Sequence, residues 1–99
     1  MAIRSYKNKG TYDIAAGIDS KEANKVLPKI LHGSAQEKLA FINASPDVRA
    51  FKNRRAFDFH VLKKDRLSQV SIRLNMQFRI CFYWDGENAD DVEIVDYHH

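Results

Sequence analysis

His60, Asp96, Tyr97 and His98 carry side chains that take up or release a proton, and Lys63, Arg73 and Arg79 are cations able to hold a phosphate. Together they match the needs of metal-free RNA cleavage. One group must take the proton of the 2′-hydroxyl and another must donate to the leaving 5′-oxygen, while positive charge neutralises the pentavalent phosphate. Each residue also has an ordinary surface role, and weight comes only from several kinds converging on one face. An unperturbed tyrosine, with a pKa of about 10, is a poor base at neutral pH. Tyr97 therefore needs neighbouring cations to favour its ionised form, or acts as an orienting donor. Which group is base and which acid stays open.

The charge distribution sharpens this choice. From Arg49 to Arg79 there are nine basic residues, Lys64 and Arg66 among them, against two acidic ones, Asp58 and Asp65. From Asp85 onward the sign reverses, with Asp85, Glu87, Asp90, Asp91, Glu93 and Asp96 and no Lys or Arg. One reading is a solvated surface whose halves neutralise each other across a sheet. The other is a face that binds a polyanion.

These residues need a scaffold, and the apolar spacing indicates one. Ala2 to Tyr6 alternate around Ile3, which predicts a strand leading to Gly10. Thr11 is the expected cap of a brief helix through Ala16, stopped by Gly17 in a left-handed conformation. Asp19 and Glu22 resemble a capping box for a second helix, with Pro28 in the first turn of its continuation. Leu31, Ala35, Leu39 and Ile42 then share a helical face. Ser45-Pro46 ends that helix, with one more turn towards Phe51.

Beyond it the period changes to two. Phe57, Phe59 and Val61 alternate with polar positions or Leu62, and so do Val70, Ile72 and Leu74, then Phe78, Ile80, Phe82 and Trp84, and finally Val92 and Ile94. Asn75-Met76 and Asp85-Gly86 mark reversals that join the last three strands into an antiparallel meander. The predicted class is α+β, with amino-terminal helices packed on one face of a mainly antiparallel twisted sheet. If Val70, Ile72, Leu74, Phe78, Ile80 and Phe82 face the helices, Arg73 and Arg79 face the open side. Tyr97, following Glu93 and Val95 at period two, shares that side, whereas Asp96 and His98 have the other parity.

Several segments resemble the HigB toxins of the RelE/ParE superfamily, also known as plasmid maintenance killer proteins. Ile3-Arg4-Ser5-Tyr6-Lys7-Asn8-Lys9-Gly10 looks like their opening. Phe59-His60-Val61-Leu62-Lys63-Lys64-Asp65-Arg66 is similar to their L-H-P-L-K-G-D-R element. Ser71-Ile72-Arg73-Leu74-Asn75-Met76-Gln77-Phe78-Arg79-Ile80 resembles the S-I-R-V-N-x-x-W-R-I core, and the ending Val92-Glu93-Ile94-Val95-Asp96-Tyr97-His98 matches the D-Y-H signature. Val61, Lys64 and Phe78 depart from the family's usual Pro, Gly and Trp.

The resemblance implies a RelE-like fold and a toxin of a type II toxin–antitoxin system. Its activity would be that of a ribosome-dependent mRNA endoribonuclease, acting without metal or other cofactor and neutralised by a HigA-type antitoxin. Operator DNA would be met only through that antitoxin. His60, Lys63, Arg79, Asp96, Tyr97 and His98 fall on the family's functional positions and Arg73 more loosely, with Lys64 and Arg66 as further RNA-binding cations. The alternatives are a RelE-fold toxin aimed at gyrase, or a non-catalytic antitoxin-binding or RNA-binding module.

Bulk properties set the remaining bounds. The 99 residues suit one domain, 1–99, and 44% hydrophobic with 29% charged residues exclude a disordered chain. The longest apolar run, Ile80 to Trp84, is far shorter than the roughly 20 residues that span a bilayer. Met1 to Lys7 lack the apolar stretch of a secretion signal, so a cytoplasmic location without membrane contact is expected. Cys81 reads as a packed thiol, and Asp96, His98 and His99 have no recognised metal-ligand spacing.

Overall fold

Caps and close approaches define the helical half. The computed structural model describes residues 2–62 and 69–97. Strand β1 is Ala2–Ile3, and helix α1, Lys9–Ala16, begins ahead of the expected Thr11 cap because Asn8 caps it. The Asn8 side-chain oxygen accepts from the Thr11 N–H at 2.8 Å, an equally good arrangement for the orphan donors of a first turn. Thr11 lies inside the helix, buried, and its hydroxyl oxygen accepts from the Ile94 N–H across the core. Gly17 ends α1 with φ 75°, as its spacing predicts.

The expected capping box at Asp19 is replaced one residue later. Ser20 caps α2, Lys21–Val26, by accepting from the Ala23 N–H at 3.0 Å. Asp19 is instead occupied by Lys29 at 2.7 Å and Asn24 at 2.9 Å. Helices α1 and α2 meet at Gly10, where an added Cβ would lie 2.3 Å from Val26 Cγ2 and 2.6 Å from the Glu22 carbonyl oxygen. A backbone oxygen cannot swing aside as a side chain can. Gly10→Ala should therefore force the helices apart and cost about 1–3 kcal/mol, the usual range for overpacking, read as a lower midpoint in a denaturant titration.

A single 3-10 turn at Lys29–Leu31 follows Pro28 and leads into α3, His32–Ala44, which buries Ala35, Leu39 and Ile42. Ser45 closes α3 and the short α4, Arg49–Lys52, buries Phe51. The alternation from Phe57 to Leu62 produces less strand than expected. Arg55–Phe57 is a 3-10 turn, Asp58 is left-handed at φ 43°, ψ 56°, and only His60–Val61 form β2. Phe57 must reach Phe41 and Phe51, at ring separations of 5.0 and 5.5 Å, while Phe59 stacks on Phe51 at 6.4 Å. A kink at Asp58 serves both aromatic contacts.

Strands β3 (Gln69–Arg73), β4 (Phe78–Trp84) and β5 (Asn88–Asp96) form the expected antiparallel meander within a sheet ordered β1-β5-β4-β3-β2. Asn75 secures the first reversal by accepting from the N–H groups of Gln77 and Phe78, and Gly86 takes φ 101° in the second. Beside β5, β1 runs parallel at the edge. Ile72, Ile80 and Ile94 align in one row of the core face, and Arg73, Arg79 and Val95 align on the opposite face. In β5 the register slips between the pairs Cys81–Glu93 and Tyr83–Asp90, with Asp91 at φ 50°. This bulge lets Ala89 and Val92, three apart, both reach the core. The chain is thus α+β, with helices against one face of a mainly antiparallel sheet. No helix among the described residues is long and apolar enough to cross a membrane.

Candidate functional site

Register brings the basic residues of β3 and β4 together. Arg73 lies directly opposite Arg79, and His60 on β2 lies opposite Ser71. Two like charges facing each other across strands repel, so a sheet does not choose this pair without a counter-charge. Asp58 supplies it. Its Oδ2 accepts from Arg79 Nη1 at 3.0 Å and from Arg73 Nη2 at 3.1 Å, and its Oδ1 lies 3.2 Å from His60 Nε2. Its backbone oxygen also accepts from Arg79 Nη2. Arg79 Nε donates to the Ser71 hydroxyl at 2.8 Å, completing a five-residue cluster at one corner of the sheet.

The Arg79 hydrogen bond holds the Asp58 carboxyl below its ordinary value of 3.8. Burial opposes this, and the charges of Arg73 and Arg79, with that of His60 when protonated, add to it. Asp58 therefore stays ionised throughout the neutral range.

The face is less open than strand parity alone predicts. Gln69, Ser71 and Cys81 point away from the helices yet are buried, Ser71 beneath the Arg79 guanidinium. Cys81 is a packed thiol, as expected, and Trp84 packs against the core. The side chain of Arg79 is only 12% exposed, against 41% for Arg73 and 60% for His60. The expected phosphate clamp at Arg79 is thus already engaged internally.

Of the residues singled out by sequence, His60, Arg73 and Arg79 come together. Tyr97 lies one residue past the end of β5, and its N–H donates to the Gln77 carbonyl at 2.7 Å. Asp96 pairs with Phe78 in register, with the opposite parity, and accepts from the Gln77 side-chain amide at 3.0 Å. Lys63, Lys64, Arg66 and His98 lie outside the described residues. Sequence reasoning missed Asp58. The available signal was its position as one of two acids in a run of nine bases, where a counter-ion is needed.

Part of the acidic stretch serves a different purpose. Asp85 and Asp90 both pair with Arg4, at 3.0 and 2.5 Å, fastening the amino-terminal segment to β5 and to the turn that precedes it. A groove of about 440 Å³ lies between α3 and the turn before Asp58, lined by Phe41, Arg54, Phe57 and Leu74 among others, but by none of the clustered cations. The cluster lies at the surface, outside that groove. No protein-family model and no curated protein matches this chain.

Proposed function

We propose that this chain is a HigB-like toxin of a type II toxin–antitoxin system, cutting mRNA on the ribosome in the cytoplasm and held inactive by a HigA-type antitoxin. The observation that carries the reading is the gathering of His60, Arg73 and Arg79 on one sheet face. His60 and Tyr97, with Asp96 and His98 flanking Tyr97 in sequence, supply proton-handling groups. Arg79 and Arg73, with Lys63, supply the positive field for a phosphate gaining charge. The three tasks of internal phosphodiester cleavage are all assigned to side chains, so the reading calls for no cofactor. A shallow face offers little to restrain flexible RNA. Presentation of the strand by a ribosome would provide the alignment that the protein lacks.

The test is cleavage of mRNA on programmed ribosomes with analysis of the product ends. Attack by the 2′-hydroxyl leaves a 2′,3′-cyclic or 3′-phosphate and a free 5′-hydroxyl, and a chelator at magnesium levels that keep ribosomes intact should leave the rate unchanged. Products with 5′-phosphates, or loss of activity to the chelator, would remove the proposed mechanism. One observation favours a second reading. The internal pairing of Arg79 with Asp58 is what a non-catalytic RNA-binding module would show if the cluster served only to hold the sheet corner.

A further inference from the structure

Asp58 is fixed from both sides. Phe57 packs against Phe41 and Phe51, and Phe59 stacks on Phe51, so the two neighbours of Asp58 are tied into the core. The left-handed backbone between them turns both its carboxylate and its carbonyl oxygen onto Arg79. A competing anion can displace a carboxylate by rotating the side chain. It cannot so displace a backbone oxygen whose neighbours are anchored. Arg79 is thereby immobilised, and Arg73 and His60 are the members that solvent, and hence a phosphate, reaches most freely. Two guanidiniums against one carboxylate leave the corner cationic, so it still attracts an anion.

We propose that Asp58 is a positioning residue that sets the working geometry of this corner for RNA. Its Oδ2 fixes Arg73 beside Arg79, and its Oδ1 accepts the Nε2–H of neutral His60, so that Nδ1 is the nitrogen that exchanges a proton with substrate. The inference rests on the nuclease reading above. In a neutral imidazole one nitrogen carries the hydrogen and the other the lone pair, and a carboxylate partner selects which. Nε2 is the ring nitrogen 3.2 Å from Asp58 Oδ1, so a neutral ring that keeps its hydrogen on that side carries its lone pair at Nδ1, on a side chain 60% exposed. Whether His60 takes the 2′-hydroxyl proton or returns one to the 5′-oxygen, the proton moves at Nδ1. The carboxylate steadies the imidazolium while it lasts.

Asp58→Asn tests this. Asparagine accepts left-handed backbone as readily as aspartate, and its amide oxygen can still accept from Arg79, so the fold should survive. The charge is lost, however, and the amide offers His60 a donor as well as an acceptor. The ring nitrogens of His60 would be read by nitrogen-15 NMR in a pH series carried up to the plateau of the neutral ring. Single-turnover cleavage would be followed on programmed ribosomes. The wild-type protein should show His60 mainly as the Nε2–H tautomer. In Asp58→Asn the tautomers should mix and the saturating rate should fall at least about tenfold, part of the ~10²–10⁴-fold that a positioned acid or base contributes, with half-saturation changed less than about twofold.

A wild-type His60 found mainly as Nδ1–H would overturn the proposal without recourse to any variant. So would an Asp58→Asn protein with unaltered tautomer and unaltered rate. Absence of cleavage by the wild-type protein would instead sink the nuclease reading, leaving the tautomer to decide whether Asp58 organises His60.

Discussion

Replacing Arg79 by alanine is expected to slow mRNA cleavage about a hundredfold, on the order of 3 kcal/mol in the barrier, because a planar cation is lost beside developing negative charge. Strand parity alone suggests that stability would hardly change, since the core residues Phe78, Ile80 and Phe82 lie on the other face. The cluster changes that expectation. Arg79 Nε satisfies the hydroxyl of Ser71, which is fully buried, and Asp58 loses its closest cation. An unsatisfied buried hydroxyl costs about 1–3 kcal/mol, so a melting curve should show a clear loss in the same variant. Arg79→Lys retains the charge but not the fork that spans Asp58 and Ser71, and should recover part of the rate without the full stability. Wild-type cleavage by a folded Arg79→Ala protein would take the active site off this corner and leave the binding-module reading in its place.

The second large effect concerns the strand end. A protein shortened after Val95 loses Asp96 and Tyr97 together with His98, and should cleave at least a hundredfold more slowly, about 3 kcal/mol or more in the barrier. The shortened chain should still fold, because Val92 and Ile94 keep β5 in the core. Among the described contacts it gives up the Tyr97 N–H to Gln77 hydrogen bond, the Gln77–Asp96 hydrogen bond and the Phe78–Asp96 ladder pair, while Val92 and Ile94 remain buried. Tyr97→Phe, which removes one hydroxyl, separates the role of that group from the strand end. Cleavage assays beside melting curves for both proteins decide the matter, and full cleavage by the shortened, folded chain would exclude this end from the chemistry.

Much of this architecture is legible residue by residue. Strand β4 occupies Phe78–Trp84, the segment that its alternation marks, and Ile72, Ile80 and Ile94 align on the core face as their parity requires. Gly17 stops α1 and Ser45 stops α3 at the expected places. The helix starts were shifted. Asn8 and Ser20 cap as well as Thr11 and Asp19 would, and a choice between near-equal caps is settled by which start lets Gly10 seat against α2 and Thr11 reach β5.

The site divides along the same line. Sequence by itself determined which basic residues share a face, because side chains alternate along a strand with a period of two and no distant contact is needed to know it. It likewise determined that Asp96 does not join the Arg79 side, and Asp96 pairs with the core residue Phe78. Only the tertiary structure decided what those cations do. The partner of Arg79 lies 21 positions away and that of Arg73 lies 15 away, across a kink that exists because Phe57 and Phe59 must both find Phe51. Periodicity reads such a segment as a strand. The packing of two aromatic rings makes it a turn, and the turn delivers the carboxylate that binds His60, Arg73 and Arg79 into one cluster.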